Sequence, residues 1–122
     1  LFFNARLEPG HNVLIHAGAS AVGIAATQIC RAAGAGQVVT TSSGGKVQVC
    51  RQHGATQALA RELAGPHAPV FAVDIKELGL QRGIDIILDP VFGGYMQENA
   101  EVLALDGTIV VIAMMGGATM DA

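Results

Sequence analysis

The chain has 122 residues, 51% of them hydrophobic, and a formal net charge of −3. That length suits one domain with a core of its own, 1–122, and no apolar run approaches the ~18 residues of a membrane-spanning helix. The acidic balance argues against nucleic acid as a partner, and the two cysteines, Cys30 and Cys50, form neither a disulfide framework nor a Cys-x-x-Cys zinc lobe, so a reducing, cytoplasmic setting is expected.

In chain order, Val13–Ala17 is a short apolar run between a Pro-Gly turn and a glycine-rich loop, and its lack of alternation predicts a strand buried on both faces. From Val22 the apolar positions Ala25, Ala26, Ile29, Cys30 and Ala33 recur at helical spacing, with Gly34 as the stop. Gln37–Thr41 is β-branched and short, a second strand, and Gly45–His53 a second helix stopped by Gly54. Gln57–Ala60 reads as a brief third strand, and 70–80 as a helix after the breaks at Gly65, Pro66 and Pro69. Ile84–Leu88 is a fourth buried strand, Gly94–Leu103 a helix and Thr108–Ala113 a fifth strand.

Strands alternating with helices call for right-handed crossovers and a doubly wound parallel sheet, a Rossmann-type α/β fold of strand order 3-2-1-4-5. No sixth strand fits before Ala122 and the chain opens without an initiator Met, so a fragment of a longer protein is expected.

Between the first strand and first helix stands Gly18-Ala-Ser20-Ala21-Val22-Gly23. Small residues at such a turn let backbone amides and the positive helix N-terminus approach a pyrophosphate, with the Ser20 hydroxyl as a further donor and Gly23 allowing close packing. Against the pattern G-x-G-x-x-G, Ser20 takes the second glycine's place. Ala21 is the position of concern, since a positive φ there would cost about 1–2 kcal/mol. A plain strand-to-helix turn is the competing reading.

No acidic residue occurs from Pro9 to Arg61, where the fixed charges are Arg31, Lys46, Arg51 and Arg61. An NAD site wants a carboxylate at the end of the second strand for the ribose hydroxyls. Here stand Thr41-Ser42-Ser43-Gly44-Gly45-Lys46 instead. A carboxylate would repel a 2′-phosphate, whereas Lys46 offers a charge and Ser42 or Ser43 a hydroxyl, so NADP(H) is expected over NAD(H). Arg61 is a candidate second phosphate contact, with an ordinary surface arginine as the alternative.

With these residues in place, the chain resembles the zeta-crystallin-like quinone oxidoreductases, a zinc-free branch of the medium-chain dehydrogenases and reductases. The segments that carry the resemblance are Glu8 to Gly23, Val39 to Lys46, Ile86 to Val91, Leu103 to Gly107 and Met114 to Gly117. The resemblance implies that Ser20 to Gly23 cradle the pyrophosphate, that Ser43 and Lys46 hold the 2′-phosphate, and that Val91, Met114 and Gly116 line the nicotinamide side. It also implies an NADPH-dependent quinone oxidoreductase as the parent protein, with the β-rich catalytic domain outside this chain. Ala21 and Phe92 stand where the family favours glycine, and Arg61 near a frequent tyrosine.

An enoyl reductase of the same superfamily and a non-enzymatic NADP(H)-binding module remain as alternatives, and oligomerisation of the intact enzyme stays open. No catalytic residue and no metal ligand are assigned. His11, His16, His53 and His67 lack metal spacing and are read as structural or solvated. Asp89 is read as ending the fourth strand, where it either meets ligand or caps a turn.

Overall fold

The computed structural model describes residues 7–60, 72–80, 83–89 and 96–111. Its elements are β1 (Asn12–Ile15), α1 (Ala21–Ala32), β2 (Gln37–Ser42), a single 3-10 turn (Gly44–Lys46), α2 (Val47–Gln52), β3 (Gln57–Ala60), α3 (Ala72–Glu77), β4 (Ile84–Asp89), α4 (Met96–Val102) and β5 (Leu103–Val111). The five strands form one sheet in the order β3-β2-β1-β4-β5, every pairing parallel. This is the expected doubly wound order with β1 at its centre.

β1 is apolar without alternation because both of its faces are covered. Val13, Leu14 and Ile15 are fully buried. Val13 and Ile15 pack with Ala26 and Cys30 of α1 on one face, while Leu14 packs with Ile75 of α3 and Val102 of α4 on the other. Each such side chain contributes roughly 1.5–3 kcal/mol when removed from water. The core thus fixes β1, and the chain leaving its carboxyl end, from both sides.

α1 starts at Ser20, whose hydroxyl accepts from the Gly23 amide at 3.1 Å. It ends where Gly34, at φ +88°, lets the amides of Gly34 and Ala35 close onto the carbonyls of Arg31 and Cys30. Gly54, at φ +113°, ends α2 by the same pattern onto Arg51 and Cys50. The buried stripe of α1 is Gly23, Ala26, Thr27 and Cys30, whereas Ile29 is 52% exposed. It is rotated from the apolar periodicity because Gly23 and Thr27 are admitted to the interior, the Thr27 hydroxyl donating to the Gly23 carbonyl at 2.8 Å.

Three of the boundaries that differ from expectation have a local cause. β1 stops at Ile15, since Ala17 takes a left-handed φ of +56° that no strand accommodates. The second helix splits into the 3-10 turn and α2, because Gly44 and Gly45 are poor helix formers. β5 begins at Leu103 rather than Thr108: Ile84 pairs with Leu103 and Ile86 with Thr108, so the chain bulges around Asp106-Gly107, which resembles a turn in sequence.

Candidate functional site

The first strand delivers the chain to the carboxyl edge of the sheet, where ligands of doubly wound folds gather. There His16 is buried and its amide donates to the Leu88 carbonyl at 3.0 Å, continuing the hold of β4 on the chain. The backbone then turns sharply through Ala17, the one non-glycine residue with positive φ among the described residues. The conformational strain sits at Ala17 and not at Ala21, which is the first residue of α1.

Gly18 and Gly23 serve close approach. The Gly18 amide donates to the Thr41 carbonyl at 2.9 Å, and a Cβ on Gly18 would meet Thr40 Cβ at 2.6 Å and Cys50 Sγ at 3.2 Å. A Cβ on Gly23 would strike the Ala17 carbonyl oxygen and stand 2.8 Å from Gly18 Cα. The two glycines therefore hold the turn against β2 and against the first turn of α1. Ser20 donates its hydroxyl to the Ala17 carbonyl at 2.7 Å while accepting from Gly23, so its side chain organises the turn.

At the start of a helix the leading amides, here Ala21 and Val22, have no intrahelical acceptor. The first turn of α1 carries no acidic side chain, so the helix's positive end is not offset by a carboxylate of its own. Facing it across a cleft of about 230 Å³ are Ser42, Ser43 and Lys46, with Ala17, Ala19 and Ser20 on the near wall. Whole-ligand pockets run to roughly 300–1,000 Å³, so this cleft is smaller than a pocket that encloses an entire ligand. Ser42 is buried and donates to the Ser43 carbonyl at 3.1 Å, whereas Ser43 and Lys46 are exposed. The Lys46 amide also donates to the Ser43 carbonyl, at 2.9 Å, which sets the spacing of these two residues.

Of the twelve positions singled out in sequence, the cleft gathers Ser20, Ser42, Ser43 and Lys46, while Gly18, Ala21, Val22 and Gly23 build the turn behind it. Arg61, Val91, Met114 and Gly116 lie outside the described residues.

Beneath the cleft is a polar chain that the sequence did not reveal. His16 Nδ1 is 2.7 Å from Thr41 Oγ1, His16 Nε2 is 2.7 Å from Asn99 Oδ1, and Asn99 Nδ2 donates to Asp89 Oδ2 at 2.7 Å. All four residues are buried. Burial lowers the His16 pKa below 6.5, with the Asn99 hydrogen bond and the Asp89 charge opposing in part. Asp89 accepts from a side chain of α4, a role the reading of it as a turn cap or ligand contact did not foresee. His16 and Asn99 are too far apart in sequence for any spacing rule to pair them; only the strand order could have done so.

A family model described as zinc-binding dehydrogenase matches residues 21–121. The chain belongs to the zinc-binding dehydrogenase family. Within the medium-chain dehydrogenases and reductases this region is the nucleotide-binding domain, in agreement with the sheet order above. Among curated relatives, the synaptic vesicle membrane protein VAT-1 homolog of Rattus norvegicus is 32% identical over 114 residues, covering 93% of this chain and 27% of the relative. The CurK enoyl reductase structure is 31% identical with a TM-score of 0.80, covering 94% of this chain and 33% of its own. The quinone oxidoreductase of Coxiella burnetii is 26% identical with a TM-score of 0.71, covering 98% and 35%. A mycobacterial protein, Rv1454c, solved with NADPH is 28% identical with a TM-score of 0.74, covering 91% and 34%. The chain thus spans about a third or less of the length of each.

The family's description raises the question of zinc. No three metal-ligating side chains stand together among the described residues, both His16 nitrogens are engaged in hydrogen bonds, and Cys30 and Cys50 are buried in the interior. These residues do not fit a zinc ion.

Proposed function

We propose that this chain is the NADP(H)-binding domain of an NADPH-dependent quinone oxidoreductase. The observation that carries the cofactor choice is the cleft between the α1 N-terminus and Ser43-Lys46, which has no carboxylate on either wall among the described residues. A 2′-phosphate placed there meets a lysine and a serine hydroxyl, where an NAD site would present an acid. The close-packed Gly18 and Gly23 fit a pyrophosphate, since a Cβ at either would displace the turn that must receive it. The NADPH-bound mycobacterial relative supports the same cofactor.

When bound, NADPH supplies the hydride. The chain's own residues bind and orient: the amides of Ala21 and Val22 meet the pyrophosphate, and Ser43 and Lys46 the phosphorylated ribose. By resemblance, Arg61 adds a phosphate contact and Val91, Met114 and Gly116 face the nicotinamide. The acceptor is held by a domain outside this chain, and quinone is assigned from the likeness to the Coxiella burnetii enzyme.

A second reading has its own support, because the CurK enoyl reductase is the better structural match, at a TM-score of 0.80 against 0.71. The full-length protein decides between them by NADPH oxidation with a quinone or with an α,β-unsaturated thioester as acceptor. Quinone turnover without thioester turnover is expected; the reverse would replace quinone by enoyl chemistry, and turnover of neither would refute both.

A further inference from the structure

His16, Thr41, Asn99 and Asp89 are a costly set to bury at the carboxyl edge of an apolar sheet. The neighbouring core positions Ile15 and Leu88 are filled by fully buried hydrophobic side chains, so filling space does not demand a histidine. The chain of bonds has a definite direction. A carboxylate only accepts, so Asp89 turns the Asn99 amide with its nitrogen inward, leaving Asn99 Oδ1 to accept from His16 Nε2–H. The neutral ring then presents Nδ1 as an acceptor, and the Thr41 hydroxyl donates to it.

What this chain joins is the two walls of the cleft. His16 immediately precedes Ala17 and Gly18 of the phosphate turn, while Thr41 immediately precedes Ser42 and Ser43 of the opposite wall. The link is doubled by the Gly18 amide on the Thr41 carbonyl. The β1–β2 ladder registers the strands only as far as Ile15 and Thr40; beyond it the 2.7 Å bond from His16 to Thr41 ties the two walls, while Asn99 of α4 holds the other ring nitrogen and so the ring's orientation.

We propose that His16 is a positioning residue which, through the Thr41 hydroxyl, holds the Ser43-Lys46 wall at a fixed distance from the phosphate turn and thereby sets the preference for NADPH over NADH. The inference rests on the NADP(H) reading above and adds a residue to it that touches neither phosphate. NADH needs the turn but not the spacing to the far wall, so loosening the link penalises NADPH selectively.

Calorimetric titration of the chain with NADPH and NADH tests this in wild type, Thr41→Val and Thr41→Ser. Valine keeps the shape and strand propensity but removes the hydroxyl; serine keeps the hydroxyl. Thr41→Val is expected to lower the NADPH-to-NADH affinity ratio about tenfold, the scale of one hydrogen bond, and Thr41→Ser to restore most of it. A wild-type ratio retained in Thr41→Val, or lost equally in Thr41→Ser, overturns the role of the hydroxyl. A wild-type chain with no preference for NADPH defeats the cofactor reading itself, and the inference with it. Should Thr41→Val not fold, the His16 ring resonances of the wild-type chain serve instead: a larger response to NADPH than to NADH is expected, and equal responses overturn the proposal.

Discussion

Gly23 lies directly against the carbonyl oxygen of Ala17, so close that no side chain at position 23 leaves the turn in place. Gly23→Ala must push the start of α1 away from the phosphate turn, at about 1–3 kcal/mol, the range for overpacking. A lowered urea midpoint and loss of NADPH binding are expected. Gly45→Ala is the control, since a Cβ there meets nothing within 4 Å. Equal stability of the two variants would show that the close approach at Gly23 is unimportant.

Ala17 carries a different strain. Its φ of +56° disfavours any Cβ by roughly 1–2 kcal/mol. Glycine relieves this but adds about 0.4–1 kcal/mol of chain entropy to the unfolded state. Ala17→Gly is therefore expected to stabilise the chain by up to about 1 kcal/mol, read from denaturant unfolding. A destabilised variant would contradict the left-handed conformation.

Burial holds folded His16 below its ordinary 6.5, so the unfolded chain binds the extra proton first as pH falls. Stability from this group is complete above 6.5 and declines as pH drops through that value, by at most about 1.4 kcal/mol per pH unit. Thermal unfolding of wild type should fall more steeply below that point than in His16→Gln, which has no group to titrate there. Parallel profiles would mean that His16 is not buried in its neutral form.

Cys30 and Cys50 are both free and buried, and burial pushes the Cys30 thiol up to about 11. The thiolate is the reactive species, so neither cysteine should react with a disulfide reagent at neutral pH until the chain is denatured. Rapid labelling of the native chain would place at least one thiol at the surface.

Much of this fold was legible because the apolar run Val13–Ala17 lacks alternation, Ile84–Leu88 is short and mostly apolar, and Gly34 and Gly54 stop helices at the positions expected of them. The strand order followed from the alternation of elements. The start of β5 did not, since Asp106-Gly107 has turn chemistry and only pairing with Ile84 draws Leu103 into the sheet. In the site, the run Thr41 to Lys46 stands out in sequence by its lack of an acid, and Ser42, Ser43 and Lys46 of that run line the cleft. Ser20 was read as a phosphate donor, but its hydroxyl is bonded within the turn. His16 and Asn99 escaped because a buried polar network is a property of tertiary proximity, which no local pattern encodes.

Binding of a 2′-phosphorylated ribose in the cleft between Ser20 and Lys46 is tested most directly by titrating wild type and Lys46→Ala with NADPH and NADH. Lys46 is exposed and borders the cleft, so its truncation leaves the fold intact. Wild type should prefer NADPH, and Lys46→Ala should lose about tenfold or more in NADPH affinity, the scale of a charge-assisted contact, while NADH affinity stays unchanged. Equal affinity of wild type for the two cofactors, or an equal loss of both in Lys46→Ala, would contradict it.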